Sequence, residues 1–310
     1  MVKKQDKEFA MAEQNFLSPV ELAQTFVTVG EKKACLPIGK MFLLAILAGI
    51  YIGFGAHLAT TVATGEYAKQ AYGIQKLLVG AVFSVGLMLV VIPGAELFTG
   101  NNLMTVALCH GRISFGGLFR NWAVVYAGNF VGSVFLACII AAGSGLLSGP
   151  VGGTAINIAA GKVSSAPIGH LNPNVAFFFR AVACNMLVCL AVMMAISAKD
   201  IAGKVLGIFF PIMAFVASGF EHSIANMYFI PAGIFAKSFP AAVTASGKTT
   251  EQLVGLNWGS MWANNLITVT AGNIVGGAIF VGVVYFFAHV RQSAPAASNA
   301  QSNAPATTNR

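Results

Sequence analysis

Apolar residues gather into six long runs, near residues 41–63, 77–109, 121–147, 174–197, 205–236 and 262–288, and most charged side chains fall between them. A helix needs about 20 apolar residues to cross the roughly 30 Å hydrocarbon layer of a bilayer, so each run predicts a transmembrane span. Ahead of the first run, Ser18-Pro19-Val20-Glu21 has the form of a capping box with proline at the first helical position. Val20, Leu22, Ala23, Phe26 and Val27 follow at helical spacing. They predict an amphipathic helix that either lies on the membrane or a neighbouring subunit, or packs beneath the bundle. The expected organisation is an N-terminal segment at 1–39, a six-helix pore domain at 40–290 and a disordered tail at 291–310, where large apolar side chains run out.

Two of the runs are too long. Between Lys76 and His110 lie 33 residues, and between Lys204 and Lys237 lie 32. As unbroken helix each would reach about 50 Å, well beyond the bilayer. Helix breakers fall inside both: Pro93, Gly94, Gly100, Asn101 and Asn102 in one, Pro211, Gly219, Pro231 and Gly233 in the other. Broken spans at corresponding places in two halves point to a transporter-type site at mid-membrane. The halves match again in the third span of each, where Ala127-Gly128-Asn129-Phe130-Val131-Gly132 is echoed by Ala271-Gly272-Asn273-Ile274-Val275-Gly276. Asn121 and Asn265 each stand eight residues ahead of the asparagine in that motif. Three spans per half is an odd number, so the second copy enters upside down. The expected fold class is an all-α integral membrane protein built as a three-plus-three inverted repeat with broken second and fifth helices.

Composition supports this class and removes others. The chain is 56% hydrophobic and 9% charged with a mean hydropathy of +0.75, whereas soluble domains carry roughly 25% charged residues. The net charge of +8 comes from lysines and arginines scattered singly, not clustered on a face as nucleic-acid binding requires. With the N-terminus inside, twelve basic residues fall on the cytoplasmic side and five opposite (Lys69, Lys76, Lys162, Lys237, Lys248), which predicts cytoplasmic termini in a plasma or inner membrane. Five cysteines without CxxC spacing predict buried small hydrophobes, not a disulfide framework. No phosphate-binding glycine loop is present, and the only aspartates, Asp6 and Asp200, lie outside the spans. An ATP-driven pump and a hydrolase are thereby excluded, and no cofactor or metal is expected.

Ionisable residues at membrane depth are costly and face a pore or each other. The candidates are His57, Glu96, Arg180, Glu221, His222 and Lys162. Each break holds an acid: Glu96 in GAELFTGNN and Glu221 in SGFEHSIAN. His222 reads as a proton or hydrogen-bond donor to a permeating anion, with a structural lock on the broken helix as the alternative. Glu96 and Glu221 are expected to tie down backbone amides or Arg and Asn partners. Asn101, Asn226, Asn129 and Asn273 are expected to cap half-helices or line the pore. His57 is expected to make a helix–helix or subunit hydrogen bond.

The stretches AILAGIYIGFG (45–55), FSVGLMLVVIPGAELFTGNN (83–102), NWAVVYAGNFVG (121–132), CNMLVCLAV (184–192), FVASGFEHSIANM (215–227) and NLITVTAGNIVGG (265–277) touch all six spans. Through them the chain resembles the formate/nitrite transporter family. The resemblance implies a homopentamer of aquaporin-like protomers, each with its own pore. It assigns a threonine loop to Thr99, a central histidine to His222 and a fourth-helix asparagine to Asn185. It further implies an outer slit of Phe83 and Phe215, an inner slit of Leu87, Leu97 and Phe98, and a vestibule lysine at Lys162. SSAPIGHLNP (164–173) stands as an insertion next to that lysine. The expected cargo is a small monovalent weak-acid anion moved with a proton: formate first, then nitrite, lactate, acetate and hydrosulfide. An aquaporin-type pore would instead carry Asn-Pro-Ala loops at the two breaks, where FTGNN and HSIANM stand.

Overall fold

The structure, a computed structural model, describes residues 15–65 and 71–291. The tail expected beyond Arg291, with Lys3, Lys4, Lys7, Lys69 and Arg310, lies outside the described residues. Helix α1 (Pro19–Ala34) starts at the anticipated capping box, in which Ser18 and Glu21 each bond the other's backbone. It packs beneath the bundle: Leu22, Ala23, Phe26 and Val27 are buried in one cluster with Leu103, Val106 and Val290.

Helix α2 (Ile38–Val62) is the first span. The second run divides into α3 (Tyr72–Phe83), α4 (Val85–Val91), an irregular stretch, α5 (Phe98–Asn101), a 3-10 turn (Asn102–Met104) and α6 (Thr105–Cys109). Helix α7 (Phe115–Cys138) continues through a π-helical turn to Gly143. Helix α9 (Pro173–Ser197) is an unbroken run of 25 residues. The fifth run divides into α10 (Ile201–Ala217) and α11 (Ser223–Ala236), each too short to cross a bilayer alone. The last run comprises α13 (Trp258–Met261) and α14 (Ile267–Ile274) joined and followed by π-helical turns as far as Val290. Among the described residues, five stretches are long and apolar enough to cross a membrane: Ile38–Val62, Tyr72–Val91, Phe115–Gly143, Pro173–Ser197 and Trp258–Val290.

The chain turns at glycine in both breaks, Gly94 at φ +88° and Gly219 at φ +75°, a region L side chains rarely adopt. Pro211 and Pro231, expected among the breakers, sit inside α10 and α11. Two further helices were not legible as runs: α8 (Pro150–Lys162) and α12 (Pro240–Ser246). Both are short and rich in glycine, alanine or serine, so neither leaves a hydropathy signal of spanning length. Helix α8 displaces the expected end of the third span, which begins at Phe115 and stops at Gly143, while the last span extends from Trp258 to Val290.

The inverted repeat extends to matching hydrogen bonds. Asn129 Nδ2 donates to the carbonyls of Ala45 (2.8 Å) and Glu96 (2.9 Å); Asn273 Nδ2 donates to those of Ala181 (2.9 Å) and Glu221 (3.0 Å). A Cβ on Gly132 would stand 2.0 Å from the Ile46 carbonyl oxygen, and one on Gly276 2.1 Å from that of Val182. The AGNxVG motif is thus a seam where the third span of each half lies against the backbone of the first.

Candidate functional site at the two broken spans

Each break is held by the same four-residue polar cluster. Lys33 Nζ meets Glu96 Oε1 at 2.7 Å, Asn101 Nδ2 donates to Glu96 Oε2 (2.7 Å) and to Asn121 Oδ1 (2.8 Å), and Asn121 Nδ2 donates to the Lys33 carbonyl (3.2 Å). In the other half Lys162 Nζ meets Glu221 Oε2 at 2.9 Å, Asn226 Nδ2 donates to Glu221 Oε2 (2.6 Å) and Asn265 Oδ1 (2.8 Å), and Asn265 Nδ2 donates to the Lys162 carbonyl (3.0 Å). Buried carboxylates require a partner charge and hydrogen bonds to their remaining lone pairs, and both receive them. Helix α1 is therefore the counterpart of α8, each carrying the lysine of its cluster in its last turn. The asparagine partners match expectation. The basic partner does not: Glu221 pairs with Lys162, while Arg180 offers it only a backbone carbonyl, at 3.4 Å. Lys33 was not singled out at all.

Asn129 and Asn273 cap the second half-helices from across the bundle, as Asn129 Oδ1 accepts from the Phe98 amide and Asn273 Oδ1 from that of Ser223, both at 2.9 Å. These bonds fix the mirror correspondence. Glu96-Leu97-Phe98-Thr99 answers to Glu221-His222-Ser223-Ile224, so the counterpart of His222 is Leu97 and that of Thr99 is Ile224. The histidine and threonine are not mirror images of each other.

They nevertheless meet at the centre. Thr99 Oγ1 lies 2.9 Å from His222 Nε2, and both residues are buried. His222 is the N-cap of α11, its Nδ1 accepting from the Ala225 amide at 3.0 Å. A backbone amide can only donate, so in the neutral ring the hydrogen sits on Nε2 and Thr99 accepts it. The threonine's own hydrogen is then free for another acceptor. Behind the loop, Asn185 Nδ2 faces the Thr99 carbonyl (3.3 Å), Asn102 Oδ1 (2.8 Å) and the Asn273 carbonyl (2.7 Å), and Cys189 Sγ donates to the Thr99 carbonyl (3.5 Å). Asn185 thus braces the threonine loop.

Apolar layers flank the pair. On one side Phe83 and Phe215 meet edge to face with ring centroids 5.6 Å apart, Phe215 stacks on His222 at 5.9 Å, and Phe229 stacks on Phe83 at 6.4 Å. On the other, Leu87 and Leu97 border a cavity of about 390 Å³ that also contains Lys33, Lys40 and Glu96. Phe98 turns instead to Tyr126 and Trp122, with centroids 5.0 and 6.0 Å away. Beyond Phe229 a second cavity, about 520 Å³, opens on the α8 side. Two cavities separated by short apolar layers around a neutral hydrogen-bonding pair define a membrane channel or transporter, not an enzyme.

The chain belongs to the formate/nitrite transporter family: residues 20–287 match the family described as formate/nitrite transporter. It is 45% identical to the "Probable formate transporter" of Methanothermobacter thermautotrophicus over 289 residues, covering 90% of this chain and 99% of that one. It is 36% identical to "Formate channel FocA" of Escherichia coli (strain K12) over 285 residues, covering 90% and 96% respectively. A solved structure titled "Pentameric formate channel with formate bound" superposes with TM-score 0.71 at 41% identity, covering 81% of this chain and 97% of that one.

Proposed function

We propose that this protein moves formate, accompanied by a proton, through a pore in each protomer of a homopentamer, with the α1 side in the cytoplasm. The observation that carries this reading is the Thr99–His222 pair, 2.9 Å apart between two apolar layers. A bare anion crosses such layers at high cost, and protonation removes most of it. While Nδ1 of His222 accepts from Ala225 and Nε2 carries the only ring hydrogen, the ring offers a hydrogen bond without a proton to spare. The proton therefore joins the weak acid in the water-filled cavity before the centre. His222 and Thr99 then hold the neutral acid between the layers, one donating in sequence to the other. Formate ranks first because the similar proteins are titled formate channels, one with formate bound.

The test is purified protein in liposomes loaded with a pH dye, challenged with formate, nitrite, lactate and hydrosulfide at two external pH values. Internal acidification faster than in empty vesicles, greatest for formate, is expected. Anion entry that builds a membrane voltage without acidification would sink the reading. In the same assay His222→Asn should slow uptake and leave its pH dependence as in wild type; a changed profile would mean that the histidine itself passes the proton.

A further inference from the structure

Among the described residues, two apolar grooves on the outside of the protomer are counterparts in the repeat. The first lies on α2 along Phe54, His57 and Leu58, with Val85 of α4 and Val151 of α8 at its sides, and holds about 510 Å³. The second lies on α9 along Leu190, Met193 and Met194, with Phe210 of α10 and Leu22 of α1 at its sides, and holds about 890 Å³. Ala45 and Ala181 receive the two seam asparagines and so align α2 with α9. Counted from that pair, Phe54, His57 and Leu58 fall on Leu190, Met193 and Met194. Counted from Glu96 and Glu221, Val85 falls on Phe210; counted from Lys162 and Lys33, Val151 falls on Leu22. Each grooved face also carries a protruding apolar side chain, Leu43 on α2 at 60% exposure and Phe179 on α9 at 65%. These two are counterparts as well, each eleven residues ahead of its groove and thus about three turns away on the same face.

A closed ring of identical copies joins two different faces of each protomer. Helix α2 packs on α3, α3 on α10 and α10 on α9, so the two grooved faces lie on opposite flanks of one edge. Helix α2 ends beside α8, where Thr64 Oγ1 donates to Thr154 Oγ1 (2.9 Å), and α9 ends beside α1, where the Leu17 amide donates to the Ser197 carbonyl (3.0 Å). The two helices therefore run in opposite directions. His57 stands five residues before the end of α2 and Phe179 six residues after the start of α9, about 8 and 9 Å along the axis, so they share a depth. Leu43 and Met193 match in the same way on the α1 side, five residues from the start of α2 and four from the end of α9.

We propose that the α9 face of one copy seats against the α2 face of the next, with Phe179 in the partner's His57 groove and the partner's Leu43 in the Met193 groove. The approximate two-fold that relates the halves turns one of these contacts into the other, so a single interface fills both grooves. A protein occupant also suits His57, because an ionisable ring at membrane depth faces protein in preference to hydrocarbon. This inference rests on the homopentamer reading above and names the surfaces that build it.

The experiment is photo-cross-linking of the full chain in membranes, with Phe179 or Leu43 replaced by p-benzoyl-phenylalanine. Each variant should give bands that climb in steps of the 32.2 kDa chain, up to five copies. Peptide mapping should place the adduct of the residue-179 probe within 54–61 and that of the residue-43 probe within 190–197 of another copy. A smaller probe keeps the test open where the benzoyl group blocks the seat: Leu58→Cys with Phe179→Cys in one chain should link through a short bis-maleimide, and neither single variant should. Probes that link only to lipid or to other segments, together with a silent cysteine pair, in protein that weighs five copies by native mass spectrometry, overturn this interface alone. A single cysteine variant that links as well as the pair overturns it too, because like residues would then meet. A wild type that weighs one copy overturns the homopentamer reading and this one with it.

Discussion

A carboxylate within a membrane persists where a cation and hydrogen-bond donors absorb it, and Glu96 and Glu221 each have a lysine and an asparagine for the purpose. Removing one member strands the other: Glu221→Gln or Lys162→Met should each lower stability by about 3–5 kcal/mol. Replacing both, as Lys162→Met with Glu221→Leu, should cost less than either single change, because no uncompensated charge remains. Thermal melting in detergent decides this, and a double variant less stable than both singles would refute it. At the packing seam, Gly132→Ala and Gly276→Ala both drive a methyl into a carbonyl about 2 Å away, so each should cost about 1–3 kcal/mol. Melting curves that match wild type would show that the seam has room to part. Glu96, Glu221 and their asparagines were legible because acids are rare in the spans, whereas Lys33 was one of several charges in Glu31-Lys32-Lys33. Its counterpart could not be found by spacing. Lys33 precedes Ala45 by 12 residues and Lys162 precedes Ala181 by 19, the difference being absorbed in the 164–173 connection.

At the scale of elements, local chemistry explains ends better than it explains positions. The capping box of α1 formed as written, and the hydroxyl and backbone N–H of Ser18 hold the Glu21 carboxyl below its ordinary value of 4.5. A depressed acid contributes above its unfolded value and loses that contribution as pH falls through the lowered folded one. Protection of the first-turn amides of α1, measured against their intrinsic exchange rates, should accordingly fall below about pH 4 in wild type. Glu21→Gln should exchange faster at pH 7 and show a flatter response; equal acid sensitivity in both would exclude the carboxylate. What the periodicity left open was where α1 goes. The same stripe of Leu22, Ala23, Phe26 and Val27 suits a membrane surface or a bundle, and burial against Leu103, Val106 and Val290 decides for the bundle.

For the whole molecule, the exposed apolar side chains on several spans, among them Phe119, Phe179, Phe210 and Ile267, face either lipid or neighbouring copies. If the assembly is like that of the pentameric channel it resembles, native mass spectrometry in mild detergent should find five copies of the 32.2 kDa chain. A persistent monomer that still moves formate would separate the pore from the assembly. The repeat also predicts matched consequences across the molecule. Asn129→Ala and Asn273→Ala each strip one trans cap and two backbone acceptors, and should lower the melting temperature by similar amounts. A large inequality would mean that the two halves carry unequal shares of stability.

The sequence by itself determined the class, the two broken spans and the inverted repeat, because hydropathy, helix breakers and the AGNxVG echo are local properties that no packing is needed to express. Tertiary structure decided which residues meet. Thr99 and His222 are 123 positions apart and occupy different steps of the repeat, so their contact depends on how the two half-spans abut and not on any spacing in the chain. The same holds for charge: only the fold shows that Lys162 meets Glu221 and Lys33 meets Glu96. The field of a charge is set by its neighbours in space, and those neighbours are contributed by helices far apart in the chain.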